Sequence, residues 1–374
     1  MSWIKNFLVI AVVSLCALKI SDVVYRLIDS NGTGILSTGS RSIFLREHDP
    51  RQDVVVIPSD IYMTSTDGLI QKQYAISIDD NGFIRNGNPD VISDDDLVIA
   101  FIGGSTTESI YVDEKNRFPS VVERQLRKDY SPNVKTINAG VSGNNSFHSL
   151  LIFLGKVLPE NPDFVVLMHN INDFALLSKT GSYWNAPEGR NIVKGSSDSP
   201  TISPQITVVS ILRKVKNLLI PNLYGYLKPR LFPQLVFADE FSNDRGIGID
   251  EHSGEIISMF ERSLRSFVAV SHAWGVKPVL MTQFNRVSVN DELFIPWVTS
   301  LGFAKEADKM VELYKALNEV TRNVAKDTNS YLIDLDIRVP KSPQYIYDVV
   351  HLNNSGSKLV GDLITTELIK VLPK

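Results

Sequence analysis

Leu97-Val98-Ile99-Ala100-Phe101-Ile102-Gly103-Gly104-Ser105 is the stretch that decides the fold. Six apolar residues run without alternation, as in a strand buried on both faces of a parallel sheet. The two glycines let the chain turn sharply, and the serine stands where a helix starts. Four more runs have the same texture, at residues 134–137, 164–168, 278–281 and 331–333. Amphipathic stretches lie between them. Residues 119–130 set Val121, Val122 and Leu126 against Glu123, Arg124, Arg127 and Lys128, and residues 256–274 and 307–326 repeat the pattern at greater length. Strand–helix alternation over five strands predicts a doubly wound, flavodoxin-like three-layer α/β sandwich with a five-stranded parallel sheet. Ligands of such sheets bind beyond the carboxyl ends of the strands.

The residues with chemistry to offer sit at those ends. Ser105 follows the first strand, where its hydroxyl and its own N–H are available to a reacting carbonyl; a helix N-cap is the other use of a serine there. The second strand runs out into Asn138-Ala139-Gly140-Val141-Ser142-Gly143-Asn144-Asn145. Glycine lets backbone N–H approach a ligand, though a plain tight loop has the same composition. After the third strand, in His169-Asn170-Ile171-Asn172-Asp173, Asn172 offers a side-chain donor, and Asn and Asp also form turns. Near the C-terminus, Asp348-Val349-Val350-His351 sets a carboxylate three residues before an imidazole that it can orient; a surface Asp and a capping His are the alternative. Together the four blocks hold a serine nucleophile, a histidine base, an aspartate orienter, and glycine and asparagine donors, which is a complete site for acyl transfer. His169 and Asn144 are weaker candidates for substrate contact, with structural roles equally open to them.

The four blocks resemble those of the SGNH hydrolases, a branch of the GDSL esterases and lipases. The match lies in Gly103-Gly104-Ser105, Gly143, Ile171-Asn172-Asp173 and Asp348-x-x-His351, and it extends over residues 96–374. Gly275-Val276-Lys277-Pro278 before the fourth strand and Leu352-Asn353-Asn354-Ser355-Gly356 after the histidine agree with it. The resemblance implies that Ser105 is the nucleophile, His351 the base and Asp348 its orienter. It implies an oxyanion hole from the N–H groups of Ser105 and Gly143 and the amide of Asn172, with no metal and no organic cofactor. Two departures stand out. Gly104 occupies the place of the family's usual aspartate, and His169-Asn170-Ile171 replaces the glycines before Asn172, which implies a bulkier wall there. Residues 28–95, with the turn Asp80-Asn81-Gly82-Phe83, resemble an extension found in some membrane-anchored members.

The rest of the chain narrows the possibilities. Of 374 residues, 43% are hydrophobic and 21% charged, which excludes wholesale disorder. With 38 basic against 42 acidic residues the net charge is −4, which argues against a nucleic-acid partner. A single cysteine, Cys16, excludes an internal disulfide and a cysteine-rich metal site. No Gly-x-Ser-x-Gly elbow, phosphate-binding loop or dinucleotide fingerprint occurs, and the remaining histidines lack metal-ligand spacing. Residues 7–18 are an uninterrupted apolar run between Lys5 and Lys19. As an anchor or as a cleaved signal, it puts the remainder outside the cytoplasm, held at the membrane or secreted; a buried helix of a cytosolic protein is the third reading.

The expected organisation is an anchor or signal over 1–27, an extension over 28–95 and a hydrolase domain over 96–374. An insertion follows the third strand, at about 178–254. Within it, residues 206–230 carry Arg213, Lys214, Lys216, Lys228 and Arg230 and no acid, as in a lid with a solvated basic face or a helix lying on an anionic membrane. Phe284-Asn285-Arg286, after the fourth strand, is a candidate pocket wall. The expected function is a serine esterase that removes an acyl group, acetyl foremost, from an envelope carbohydrate or lipid. The alternatives are an O-acyltransferase using the same triad and a non-catalytic envelope protein on the same fold.

Overall fold

A computed structural model describes residues 41–43, 45–86, 95–184, 193–195, 249–300 and 302–373. The apolar run at 7–18 and the basic stretch at 206–230 lie outside them. Among the described residues no helix is long and apolar enough to cross a membrane.

In chain order the elements begin with β1 (Arg41–Ile43), β2 (Asp53–Val56), the single turn α1 (Asp60–Met63) and β3 (Tyr74–Ser77). Then come β4 (Leu97–Gly103), α2 (Ser105–Glu108), α3 (Phe118–Asp129), β5 (Val134–Gly140) and α4 (Ser146–Ile152). β6 (Phe164–Met168), α5 (Ile171–Thr180), β7 (Val193–Gly195), α6 (Ile249–Ala273), β8 (Lys277–Met281) and α7 (Phe294–Ser300) follow. The chain ends through α8 (Ala307–Asp327), β9 (Tyr331–Ile333), α9 (Leu335–Arg338) and α10 (Asn354–Leu368). β1 and β7 pair antiparallel with Ser42 opposite Lys194, in a small unit of their own.

The main unit is built on a five-stranded sheet of order β5-β4-β6-β8-β9, every neighbour parallel. These are the five strands expected from the apolar runs. Each pleat sends alternate side chains to opposite faces. Val98, Ala100 and Ile102 of β4 pack with Phe174 of α5, Phe260 of α6 and Leu317 of α8. Ile99 and Phe101 face the other way, onto Phe118 and Val122 of α3 and Ile364 of α10. Burying side chains of this size contributes about 1.5–3 kcal/mol apiece, so the central strand must be apolar on both faces. β5 runs three residues beyond its apolar core, to Gly140. The polar Asn138 is tolerated there because its side-chain oxygen accepts the Gly140 N–H at 3.1 Å and its carbonyl accepts the Ile84 N–H at 3.0 Å.

The bridge from Ile84 also places the N-terminal extension along the free side of β5. β2 and β3 form an antiparallel pair just before it, with Val54 opposite Ile76. Leu69 and Tyr74 of this segment pack against Tyr111 and Tyr347. Residues 45–86 are thereby joined to both ends of the hydrolase sequence.

Register puts the strand ends level. Gly103 of β4 lies opposite Gly140 of β5 and Met168 of β6, and Met168 lies opposite Met281 of β8. The segments that follow those residues therefore emerge along one edge of the sheet, where sequence placed the chemistry.

Candidate active site

Ser105 is the first residue of α2, two residues past the end of β4. As the first helical residue it has no intrahelical acceptor for its N–H. Its Oγ lies 2.8 Å from Nε2 of His351, and Nδ1 of the same ring lies 2.7 Å from Oδ2 of Asp348. An ionised carboxylate only accepts, so Nδ1 carries the proton and Nε2 turns its lone pair to the serine hydroxyl. The Asp348–His351 loop is tight. Oδ1 of Asp348 accepts the N–H of Val350 at 2.8 Å and of His351 at 2.7 Å, while the Tyr62 hydroxyl donates to Oδ2 at 3.3 Å. Tyr347 stacks on the imidazole with ring centres 5.7 Å apart.

These contacts set the charges. Burial works to raise Asp348, but the adjacent His351 and the hydrogen bonds to its carboxylate outweigh it and hold the group below the ordinary aspartate value. Burial works to lower His351, and the charge and hydrogen bond of Asp348, with Glu108 adding to them, carry it above 6.5. The pair favours an imidazolium beside a carboxylate.

Three potential donors share one cavity with the serine: the N–H of Ser105, the N–H of Gly143 and the amide of Asn172. Gly143 has φ +76°, a left-handed conformation that suits glycine, and no acceptor among the described residues takes its N–H. Asn172 gives one amide hydrogen to the Asn144 carbonyl at 2.8 Å and keeps the second. The loop that carries Gly143 is held from outside. Arg46 donates to the carbonyls of Ser142 at 3.0 Å and Gly143 at 3.3 Å. The Ser142 hydroxyl donates to Glu108, which also pairs with His48 at 3.1 Å.

The structure departs from expectation at three points. His169 does not face the cavity: it is 3% exposed, with Nε2 2.7 Å from the Ser149 hydroxyl and Nδ1 3.5 Å from Asp173. Burial, with nearby His148 adding to it, lowers it to about 3, so it is a neutral core residue. Burial likewise raises Asp173 to about 6, against the hydrogen bonds from Ser146 and Tyr183. Asn144 is fully buried and turns its side chain away, donating to the Arg46 carbonyl at 3.1 Å; only its backbone serves the site, as the acceptor for Asn172. Phe284-Asn285-Arg286 is no pocket wall. Arg286 is buried against Asp67, Asp291 and the Ile346 carbonyl, and its N–H donates to Val349 at 2.7 Å, so it braces the histidine loop from behind.

The walls come from elsewhere. Ile61 and Tyr62 around α1 form one side, and Leu293, Pro296 and Trp297 around α7 form another. Pro296 and Trp297, on α7 after the fourth strand, were a usable signal for the second. Nothing in the polar composition of residues 45–72 marks Arg46 or Tyr62, which meet their partners 97 and 286 residues away.

The GDSL-like lipase/acylhydrolase family matches residues 101–359 of the sequence. The chain belongs to this family. It is accordingly a serine hydrolase acting on ester bonds, with the α/β fold of the group. No curated protein matches it in sequence. Solved structures similar to it include the lipase/acylhydrolase from Enterococcus faecalis, at 17% identity and TM-score 0.43 over 74% of this chain and 97% of that one. An acetylxylan esterase from Geobacillus stearothermophilus is similar at 17% identity and TM-score 0.41, over 74% and 95%.

In this esterase the base must be neutral to accept the serine proton. If His351 is that base, its position above 6.5 makes kcat/KM rise with pH through a midpoint above that value. A pH–rate profile measures it, and an acid limb centred below 6.5 contradicts the assignment.

Proposed function

We propose that the protein is a serine esterase for esters with an apolar acyl chain, with Ser105 as nucleophile, His351 as general base and then acid, and Asp348 as orienter. In the first step Ser105 Oγ attacks the ester carbon while its proton passes to Nε2. The oxyanion is met by the N–H groups of Ser105 and Gly143 and the amide of Asn172. His351 returns the proton to the leaving alkoxide, and water repeats the sequence on the acyl-enzyme.

The observation that carries the acyl class is the cavity in front of Ser105, of about 740 Å³, walled by Ile61, Tyr62, Ile110, Leu293, Pro296 and Trp297. Ile61 is 64% exposed, an apolar side chain left at the rim where a substrate would cover it. The cavity must also take the leaving group, and its apolar walls support an acyl chain longer than acetyl, the group expected from the sequence. The apolar run at residues 7–18 supports an extracytoplasmic setting for the enzyme, on envelope lipid or acylated carbohydrate.

The test is hydrolysis of p-nitrophenyl acetate, butyrate and octanoate by the full chain, together with fluorophosphonate labelling mapped by peptide mass. Each buried methylene is worth about 0.8 kcal/mol, so kcat/KM rises roughly three- to fourfold per methylene until the cavity fills. Label on Ser105 with octanoate well above acetate is the expected result. Acetate as the best substrate removes the apolar acyl class, and label elsewhere removes the nucleophile.

A further inference from the structure

Arg46 lies outside the region that matches the family, yet its side chain reaches the loop that carries Gly143. Nη2 donates to the Ser142 carbonyl at 3.0 Å. That carbonyl and the Gly143 N–H belong to one peptide unit. A cation bonded to the oxygen withdraws electron density across the amide and makes the N–H at its other end a stronger donor. Nη1 donates to the Gly143 carbonyl at 3.3 Å, so both peptide planes beside the φ +76° residue are gripped by one planar fork.

The backbone of the same arginine works on the second donor. Its carbonyl accepts the Asn144 side-chain amide at 3.1 Å, and the Asn144 carbonyl accepts from Asn172 at 2.8 Å. One residue of the extension therefore touches the Gly143 peptide directly and the Asn172 amide through a single intermediary.

We propose that Arg46 is the positioning residue of the oxyanion hole, aiming and polarising the Gly143 N–H and, through Asn144, fixing the amide of Asn172. This rests on the esterase reading of Ser105 given above. The guanidinium stays behind the loop and does not touch substrate. Its contribution appears when negative charge develops on the carbonyl oxygen, because that is when a stronger and better-aimed donor matters.

The experiment compares Arg46→Ala, Arg46→Gln and Arg46→Lys in the full chain with the parent enzyme. Competent sites are counted by fluorophosphonate titration, and melting temperature is recorded alongside. Arg46→Ala and Arg46→Gln are expected to lower kcat per titrated site about 10- to 100-fold with KM within about threefold. Arg46→Lys, which keeps the charge but not the fork, is expected to fall between them and the parent. Affinity for a trifluoromethyl ketone of matched chain length, which forms the tetrahedral adduct, is expected to weaken in step with kcat. Added guanidinium is expected to restore part of the activity of Arg46→Ala.

An unchanged kcat per titrated site overturns the proposal, whatever happens to the melting temperature. So does an equal change in KM and ketone affinity. If Arg46→Ala does not fold, Arg46→Lys carries the same readouts. Turnover that survives Ser105→Ala is a different failure: it removes the esterase reading and not the role of Arg46 alone.

Discussion

Asparagine in place of Asp348 lowers kcat by about 10³- to 10⁴-fold. The size follows from the acceptor geometry. Asp348 receives four donors: the N–H groups of Val350 and His351 on one oxygen, and His351 Nδ1 and the Tyr62 hydroxyl on the other. An amide offers one oxygen. If that oxygen stays with the two backbone N–H groups, the new NH₂ faces Nδ1 and donates to it. The imidazole then carries its proton on Nε2, the nitrogen 2.8 Å from Ser105 Oγ, and it can no longer take the serine proton. The loss corresponds to about 4–5 kcal/mol of transition-state stabilisation. Without the carboxylate, the remaining activity also has its acid limb at lower pH, since Asp348 is what lifts His351. Steady-state rates across pH measure both effects, and a loss of less than tenfold contradicts the triad.

Alanine at Gly104 lowers kcat by about 10²- to 10³-fold with little change in KM. The backbone there has φ −91° and ψ −153°, open to any residue, so strain is not the cause. The cause is space. A Cβ on residue 104 would stand 2.2 Å from Nδ2 of Asn172 and 3.0 Å from the Asn144 carbonyl. The Asn172 amide must leave, and with it one oxyanion donor, worth about 3–4 kcal/mol. The departure at Gly104 from the family's aspartate thereby acquires a physical meaning: in this chain the asparagine amide occupies the space of that side chain. Gly104→Ala and Asn172→Ala remove the same interaction, so the double variant should be scarcely slower than Asn172→Ala alone. Multiplicative losses would separate the two residues.

The sheet was legible because its signal is local. Runs such as residues 97–102 have to be apolar on both faces, and the alternation of strand and helix orders them. The strand-end blocks were legible for a related reason: level register brings together whatever follows Gly103, Gly140 and Met168. The remainder is set by contacts without local pattern. Arg46 and Tyr62 sit in sequence with no helical or strand pattern that marks them, and their partners are fixed only when the extension lies along β5 and over the histidine loop. Phe284-Asn285-Arg286 misled because its place after the fourth strand suggests a pocket wall, whereas the Arg286 guanidinium is taken up by Asp67 and Asp291. His169 misled because nearness in sequence to Asn172 says nothing about facing: the two are three residues apart, and one is buried in the core while the other lines the cavity.

The bonds between the extension and the histidine loop also govern when the enzyme becomes an enzyme. The Asp67 N–H meets the Tyr347 carbonyl, and the Tyr62 hydroxyl meets Asp348 across 286 residues of chain. During synthesis the extension leaves the ribosome first and waits for the 286 residues that separate Tyr62 from Asp348 before these contacts can close. β4, β5 and β6 can pair long before then, since their neighbours are close in sequence. A ribosome-bound chain can therefore hold most of its sheet and no competent serine. Activity has to wait for the Asp348–His351 loop, which keeps a chain that lacks it inert.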